Sequence, residues 1–164
     1  MFVPLHVKSE FSPGHSAAAV EELLHRAGPF GIPAMALTNV ENLYGQVRFH
    51  RAARSYGIKP ITGVELRAQY QAGTLGCKSG RLVLLARDRL GYESLCRIIT
   101  GRRSAVRGYD PLDCLKAEPR GVFFLSDDAS VIEALLQGGV SRCSLPIMCS
   151  GLRASVRPSS GFPP

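Results

Sequence analysis

The chain has 164 residues, 45% of them hydrophobic and 20% charged, which is enough for one compact domain with a core. Its apolar stretches, such as 82–86 and 121–125, are far shorter than the roughly 20 residues that span a bilayer, and no secretion signal opens the chain. The five cysteines are odd in number and widely spaced, which argues against a disulfide framework and a CxxC metal knuckle, and we expect a cytoplasmic protein with no membrane contact. The net charge of +7 favours polyanions as partners without specifying one.

Short apolar runs alternate with segments of helical period along most of the chain. The predicted strands are residues 2–7, 34–38, 60–66, 82–85 and 122–125. A polar turn with three glycines is expected over 72–80, and the continuous apolar run that follows it is typical of a doubly buried strand in a parallel sheet. About five strand-to-helix units in one direction predict an α/β fold, either a barrel or an open doubly wound sheet.

Helix signals follow each predicted strand except the third. The first helix is predicted to start at Ser16 as N-cap and to end at Gly28-Pro29, and the second passes through Phe49 and ends at Gly57. The third starts at Asp88 as N-cap and continues through Ile99, and the fourth passes through Val131 and ends at Gly138. From Val140 the periodicity is lost among serines, prolines and arginines. We therefore expect a domain over residues 1–139 and a weakly ordered, basic tail over 140–164.

In both candidate architectures, function lies at the carboxyl ends of the strands. The residues expected there are His6, Lys8, Asn39, Val40, Glu65, Arg87, Asp127 and Asp128. Histidine, carboxylate and amide side chains are typical metal ligands, while the lysine and arginine suit anions. These strand ends are where we look for chemistry.

Three blocks at these strand ends resemble one known family. Residues 2–12 (FVPLHVKSEFS) resemble FVHLHxHSEYS, residues 36–45 (ALTNVENLYG) resemble ALTDHGNMxG, and residues 57–65 (GIKPITGVE) resemble GIKPIIGxE. These are motifs of the PHP (polymerase and histidinol phosphatase) domain that opens bacterial DNA polymerase III alpha subunits. Residues 82–92 and 121–126 extend the resemblance, which covers about residues 1–139. It implies a partial, distorted (βα) barrel of the PHP type.

The resemblance also implies which positions would hold the family's metal cluster, which can support phosphodiester hydrolysis. His6 and Glu65 are retained, His15 replaces an aspartate, and Asp128 replaces a cysteine. Ligand positions also fall on Pro4, Asn39, Val40 and Arg81, of which the asparagine is a weaker ligand and the others are not ligands. Four residual ligands do not close a multinuclear cluster, so we predict no cofactor; the alternative is a single zinc or manganese ion.

Carboxylates left in a pocket without metal repel each other, and each raises the pKa of the other. A cation must replace the missing charge, and the resemblance places Arg81, Lys8 and Arg87 near the pocket. The specific hypothesis is an Arg81–Glu65 ion pair in place of the metal. Its expected consequence is a fold whose stability does not respond to chelators.

A cluster of arginines follows the fourth predicted strand. Its members are Arg97, Arg102, Arg103 and Arg107. The cluster is either a solvated helix face or a surface directed toward DNA. The sequence leaves both open.

The resemblance implies an inactive, structural PHP-like domain or fragment of a DNA polymerase III alpha-like protein, because nothing in the chain resembles the polymerase active site. Its implied partners are the polymerase core and a proofreading exonuclease subunit, with DNA as a further candidate. The alternative is a stand-alone metal-dependent phosphoesterase or 3′–5′ exonuclease that uses His6, His15, Glu65 and Asp128. A third interpretation is a truncated or frameshifted chain, whose incomplete barrel would expose a sheet edge and aggregate.

Overall fold

A four-stranded mixed sheet organises the part of the chain that the computed structural model describes, residues 2–71, 77–104 and 120–128. The strands are β1 (Ala34–Val40), β2 (Lys59–Gln71), β3 (Cys77–Ala86) and β4 (Val122–Ser126). The helices are α1 (Val20–Ala27), α2 (Gln46–Ser55) and α3 (Arg89–Ser104), with a short 3-10 turn at Gly28–Phe30. The predicted helix through Val131 and the tail over 140–164 lie outside the described residues.

The strands lie in the order β1-β2-β3-β4, and their directions differ from the prediction. β1 and β2 are parallel, with Val40 opposite Glu65, whereas β3 is antiparallel to both β2 and β4. The expectation of units that all run in one direction is therefore wrong, although the α/β class is confirmed. β2 and β3 pair as a long antiparallel ladder that reaches Gln71 opposite Cys77.

The predicted first strand is reduced to a partial one. Residues 4–7 lie along β1, where Pro4 O and Val7 O accept hydrogen bonds from the backbone N–H groups of Ala36 (2.9 Å) and Thr38 (2.7 Å). Pro4 has no N–H to donate, so this part of the segment accepts hydrogen bonds without completing a ladder. The segment nevertheless carries His6 and Lys8 to the carboxyl end of β1.

Of the two predicted helix N-caps, Asp88 and Ser16, only the first caps its helix. Asp88 is the predicted N-cap of α3, and its Oδ1 accepts a hydrogen bond from the Gly91 N–H at 2.9 Å. Ser16 does not open α1, which begins at Val20; its hydroxyl accepts the Ala18 N–H at 3.2 Å and forms a local turn instead. Within the described ranges, no helix has the length and apolarity needed to cross a bilayer.

The core lies mainly on one face of the sheet. There α1 and α2 pack on β1 and α3 packs on β2 to β4, in two clusters of buried residues that include Leu24, Leu37, Phe49, Leu84, Leu95 and Phe124. The opposite face carries a smaller cluster of Ala36, Val83 and Leu85, packed with Leu5, Ile61, Phe123 and Leu125. Because side chains alternate along a strand, Glu65 faces the same side as Ile61. The smaller face therefore holds the candidate site.

Candidate functional site

A buried carboxylate, Glu65, forms the centre of the candidate site. It lies where the parallel pairing of β1 and β2 ends, and its side chain is 1% exposed. Its Oε2 accepts a hydrogen bond from Lys8 Nζ at 2.8 Å and lies 2.5 Å from His6 Nε2. Both partners come from the segment along β1, so a carboxylate, an ammonium and an imidazole meet at one sheet end.

The contacts of Glu65 fix its charge. Burial by itself raises the pKa of this carboxyl, but the hydrogen bonds and charges of His6 and Lys8 together outweigh burial and hold the pKa at about 2. Because the folded-state pKa lies below the ordinary 4.5, the resulting stabilisation is complete above pH 4.5 and is lost as the pH falls toward 2. At neutral pH it is on the order of 3 kcal/mol.

Arg81 does not pair with Glu65, and this part of the prediction is wrong. On β3 the residue opposite Glu65 is Val83, while Arg81 lies opposite Arg67, two pairs further along the hairpin. The Arg81 guanidinium instead donates to the carboxylate of Asp127, just beyond β4. That ion pair is largely exposed to solvent.

Arg87 is also excluded from the pocket, by the direction of its strand. Because β3 is antiparallel to β2, its carboxyl end lies at the edge of the sheet opposite the Glu65 end. There Arg87 forms an ion pair with Asp88 at 3.1 Å. Of the three cations expected near the pocket, Lys8 is the one that contacts Glu65.

The other residual ligands do not converge with His6 and Glu65. His15 is exposed, and its Nε2 accepts a hydrogen bond from the Arg67 guanidinium. Asp128 follows β4, and its backbone N–H donates to Ser126 Oγ at 3.1 Å. Among residues 2–71, 77–104 and 120–128, no three His, Cys, Asp or Glu side chains lie close enough together to hold a metal ion.

The donor set around Glu65 therefore does not fit a multinuclear metal centre. Its cross-strand neighbours, Val40 and Val83, offer no ligand atom. Glu65 Oε2 is already bonded to the Lys8 ammonium group. A cation approaching this oxygen would have to displace Lys8 and overcome its charge.

A buried polar network around Asn39 supports the site, and sequence reasoning did not identify it. Asn39 Oδ1 accepts hydrogen bonds from the Ser9 N–H (2.9 Å) and the Ser12 hydroxyl (3.0 Å), and its Nδ2 donates to Tyr44 O (3.0 Å). Ser12 Oγ in turn accepts the Val40 N–H at 3.0 Å. The network fixes the loop after Lys8 to the end of β1. The sequence signal that could have indicated it is the presence of small polar residues, Ser9, Ser12 and Asn39, within two of the matched blocks.

Two of the four clustered arginines, Arg102 and Arg103, make hydrogen bonds to other residues of the chain. Arg102 donates to Glu41 Oε1 (2.5 Å) and to Arg67 O (2.8 Å). The Arg103 guanidinium lies 5.0 Å from the centroid of the Tyr44 ring and bonds its hydroxyl. Arg97 is exposed, and Arg107 lies outside the described residues. Contact of these arginines with DNA stays a prediction.

The PHP domain family model matches residues 4–135, a range that includes all four strands and the Glu65 site. This chain belongs to the PHP domain family. The family match agrees with the blocks at the strand ends, where His6, Asn39 and Glu65 lie. In the family's opening block, FVHLHxHSEYS, the third histidine falls on Lys8 of this PHP domain.

The curated relatives of this PHP domain are much longer polymerases. The DNA polymerase III alpha subunit of Bacillus subtilis is 35% identical over 140 residues, covering 85% of this chain and 12% of the relative. An error-prone DNA polymerase of Anaeromyxobacter sp. (strain K) is 38% identical over 136 residues, covering 76% and 12%. The chain thus spans about an eighth of the length of these relatives. Among solved structures, an amidohydrolase from Chromobacterium violaceum is 26% identical with a TM-score of 0.47, covering 61% of this chain and 34% of that one.

Proposed function

We propose that this PHP domain is catalytically inactive and serves as a structural part of a DNA polymerase III alpha-like protein. The observation that carries the proposal is the Lys8 ammonium on the buried Glu65 carboxylate, at a position where the family block has a histidine. We interpret the pocket as a degenerate metal site in which Lys8 supplies the positive charge. The similarity to the named polymerases supports the assignment to that protein class.

A lysine in this position opposes metal binding in two ways. A protonated amine has no lone pair to offer a metal ion, and its charge repels cations at short range. It also neutralises Glu65, which removes the electrostatic gain that a bound cation would bring. Phosphodiester hydrolysis in a metal cluster needs cations that activate water and neutralise the phosphate, so the loss of the cluster removes both effects.

The wider role follows from the class of protein. The domain would span residues 1–139 as an incomplete barrel of the PHP type, with 140–164 as a separate basic tail. It would support the polymerase core and dock the proofreading exonuclease subunit in the cytoplasm, with exposed arginines such as Arg97 directed toward DNA. The polymerase relatives support a place in a polymerase assembly.

Hydrolysis of bis(p-nitrophenyl) phosphate with added manganese or zinc tests the inactivity of the domain. We expect the full chain to show no hydrolysis above the rate of the metal in buffer, and Glu65→Ala to leave that rate unchanged. The matched control is Glu93→Ala, which removes a more exposed carboxylate on α3. Metal-dependent hydrolysis that Glu65→Ala abolishes and Glu93→Ala retains would instead establish the phosphoesterase alternative.

A further inference from the structure

A groove of about 1010 Å³ opens at the edge of the sheet opposite Glu65. It is bounded by α2 on one side and by the start of α3 on the other, with the ends of β1, β2 and β3 between them. Its apolar lining includes Leu5, Ile61, Leu85 and Phe123. His6, Lys8 and Glu65 take no part in it, so the groove is separate from the candidate site.

The rim of the groove is strongly basic. Arg51 and Arg54 on α2 and Lys59 at the start of β2 line it, and none of them has an ion-pair partner within the described ranges. Arg87 and Arg89 add two further charges, each paired with a neighbouring carboxylate. Among the described residues that line the groove, Asp88 is the one acidic residue, and Arg87 and the Gly91 N–H already bind it. The rim therefore attracts anionic groups.

The walls of the groove also expose apolar side chains. Val47 on α2 is 73% exposed and Tyr92 on α3 is 45% exposed, and both line the groove. Apolar side chains exposed next to an apolar surface are typical of an interaction site. A ligand that carried only negative charge would leave this surface in water, and a purely apolar ligand would leave three cations unpaired. The matching ligand is amphipathic and acidic.

The basic charge of the rim disfavours two occupants. Residues 129–164 carry three arginines and one glutamate, so this segment is repelled by the basic rim. A second copy packed groove to groove would oppose five basic residues with the same five. The charge of the rim favours an acidic segment, and we take that segment to belong to another protein.

We propose that this groove binds an acidic amphipathic helix of a partner protein. Two helices form its walls, as in other grooves that accept an amphipathic helix. The apolar face of the partner helix packs on Ile61 and Phe123, and its acidic residues pair with Arg51, Arg54 and Lys59. This surface goes beyond the structural role proposed above and does not depend on the state of the Glu65 pocket.

The test uses the full chain and a labelled synthetic helix with leucine at i, i+3, i+4 and i+7 spacing and glutamate elsewhere, followed by fluorescence anisotropy. We expect Arg51→Glu/Arg54→Glu to weaken binding at least about tenfold. The matched control, Arg26→Glu/Arg97→Glu, makes the same change in net charge on exposed residues outside the groove and should change affinity less than about twofold. Replacing leucine by serine in the probe should also weaken binding at least about tenfold.

Four results would overturn the proposal. The probe could fail to bind the chain at all. Equal losses of affinity in the two double variants would show that binding depends only on the net charge of the chain. Equal affinity for the serine probe and the leucine probe would show that the apolar lining does not contribute to binding. Tighter binding of a single-stranded oligonucleotide than of the helix, lost selectively in Arg51→Glu/Arg54→Glu, would make the groove a nucleic-acid site. None of these four results bears on the proposed structural role, which is tested separately by the hydrolysis assay with the Glu65 variant.

Discussion

We expect Lys8→Met to lower the free energy of unfolding by about 3 kcal/mol at neutral pH. Methionine keeps much of the length of the lysine side chain but removes the charge that faces Glu65, whose side chain is 1% exposed. The carboxylate would then be buried with His6 as its remaining side-chain partner. Urea unfolding of the full chain, followed by circular dichroism, measures the loss.

A matched variant separates this effect from the general cost of losing an ion pair. Arg26→Met removes the cation of the exposed Arg26–Glu22 pair and should cost less than about 1 kcal/mol. Adding Glu65→Gln to Lys8→Met removes the unpaired charge and should recover most of the lost stability. Equal losses in Lys8→Met and Arg26→Met would show that Lys8 does not compensate a buried charge.

The second large effect is expected at Asn39. Asn39→Ala should lower the free energy of unfolding by about 3 kcal/mol, because the buried Ser9 N–H and the part-buried Tyr44 carbonyl lose their side-chain partner. The loop after Lys8 would also lose its connection to β1. Chemical denaturation gives the stability, and amide hydrogen exchange around Ser9 and Ser12 reports the loosened loop.

Thr38→Val provides the comparison for this variant. Thr38 is the neighbouring buried residue, and its hydroxyl donates one hydrogen bond, to Val7 O at 3.1 Å. Its isosteric replacement should cost about 1 kcal/mol. If Asn39→Ala costs no more than Thr38→Val, the network is not cooperative and does not fix the loop.

The sequence was informative about where the strands lie and less informative about their direction. The apolar runs mark β1 to β4 because burial requires them, whichever way each strand runs. Leu82–Leu85 are buried in an antiparallel strand, so a continuous apolar run does not by itself indicate a parallel sheet. The direction of β3 depends on the chain reversal after Gln71, which periodicity does not report.

For the candidate site too, the sequence was informative about some residues and less informative about which residues pair. His6, Lys8 and Glu65 lie in two of the matched blocks, and His6 and Lys8 contact Glu65. The Arg81–Glu65 pair failed because it required knowledge of the pairing register between β2 and β3. The Asn39 network was missed because serine and asparagine carry no periodic signal, and their role depends on contacts about 30 residues apart in the chain.

The central claim is that Lys8 takes the place of a metal cation beside Glu65. The most direct test is the metal content of the purified full chain, measured by inductively coupled plasma mass spectrometry after incubation with zinc or manganese and removal of unbound ions. We expect far less than one equivalent of either metal, with the thermal unfolding midpoint unchanged by a chelator. One or more equivalents that are retained by the wild-type chain and lost in Glu65→Gln would contradict the claim.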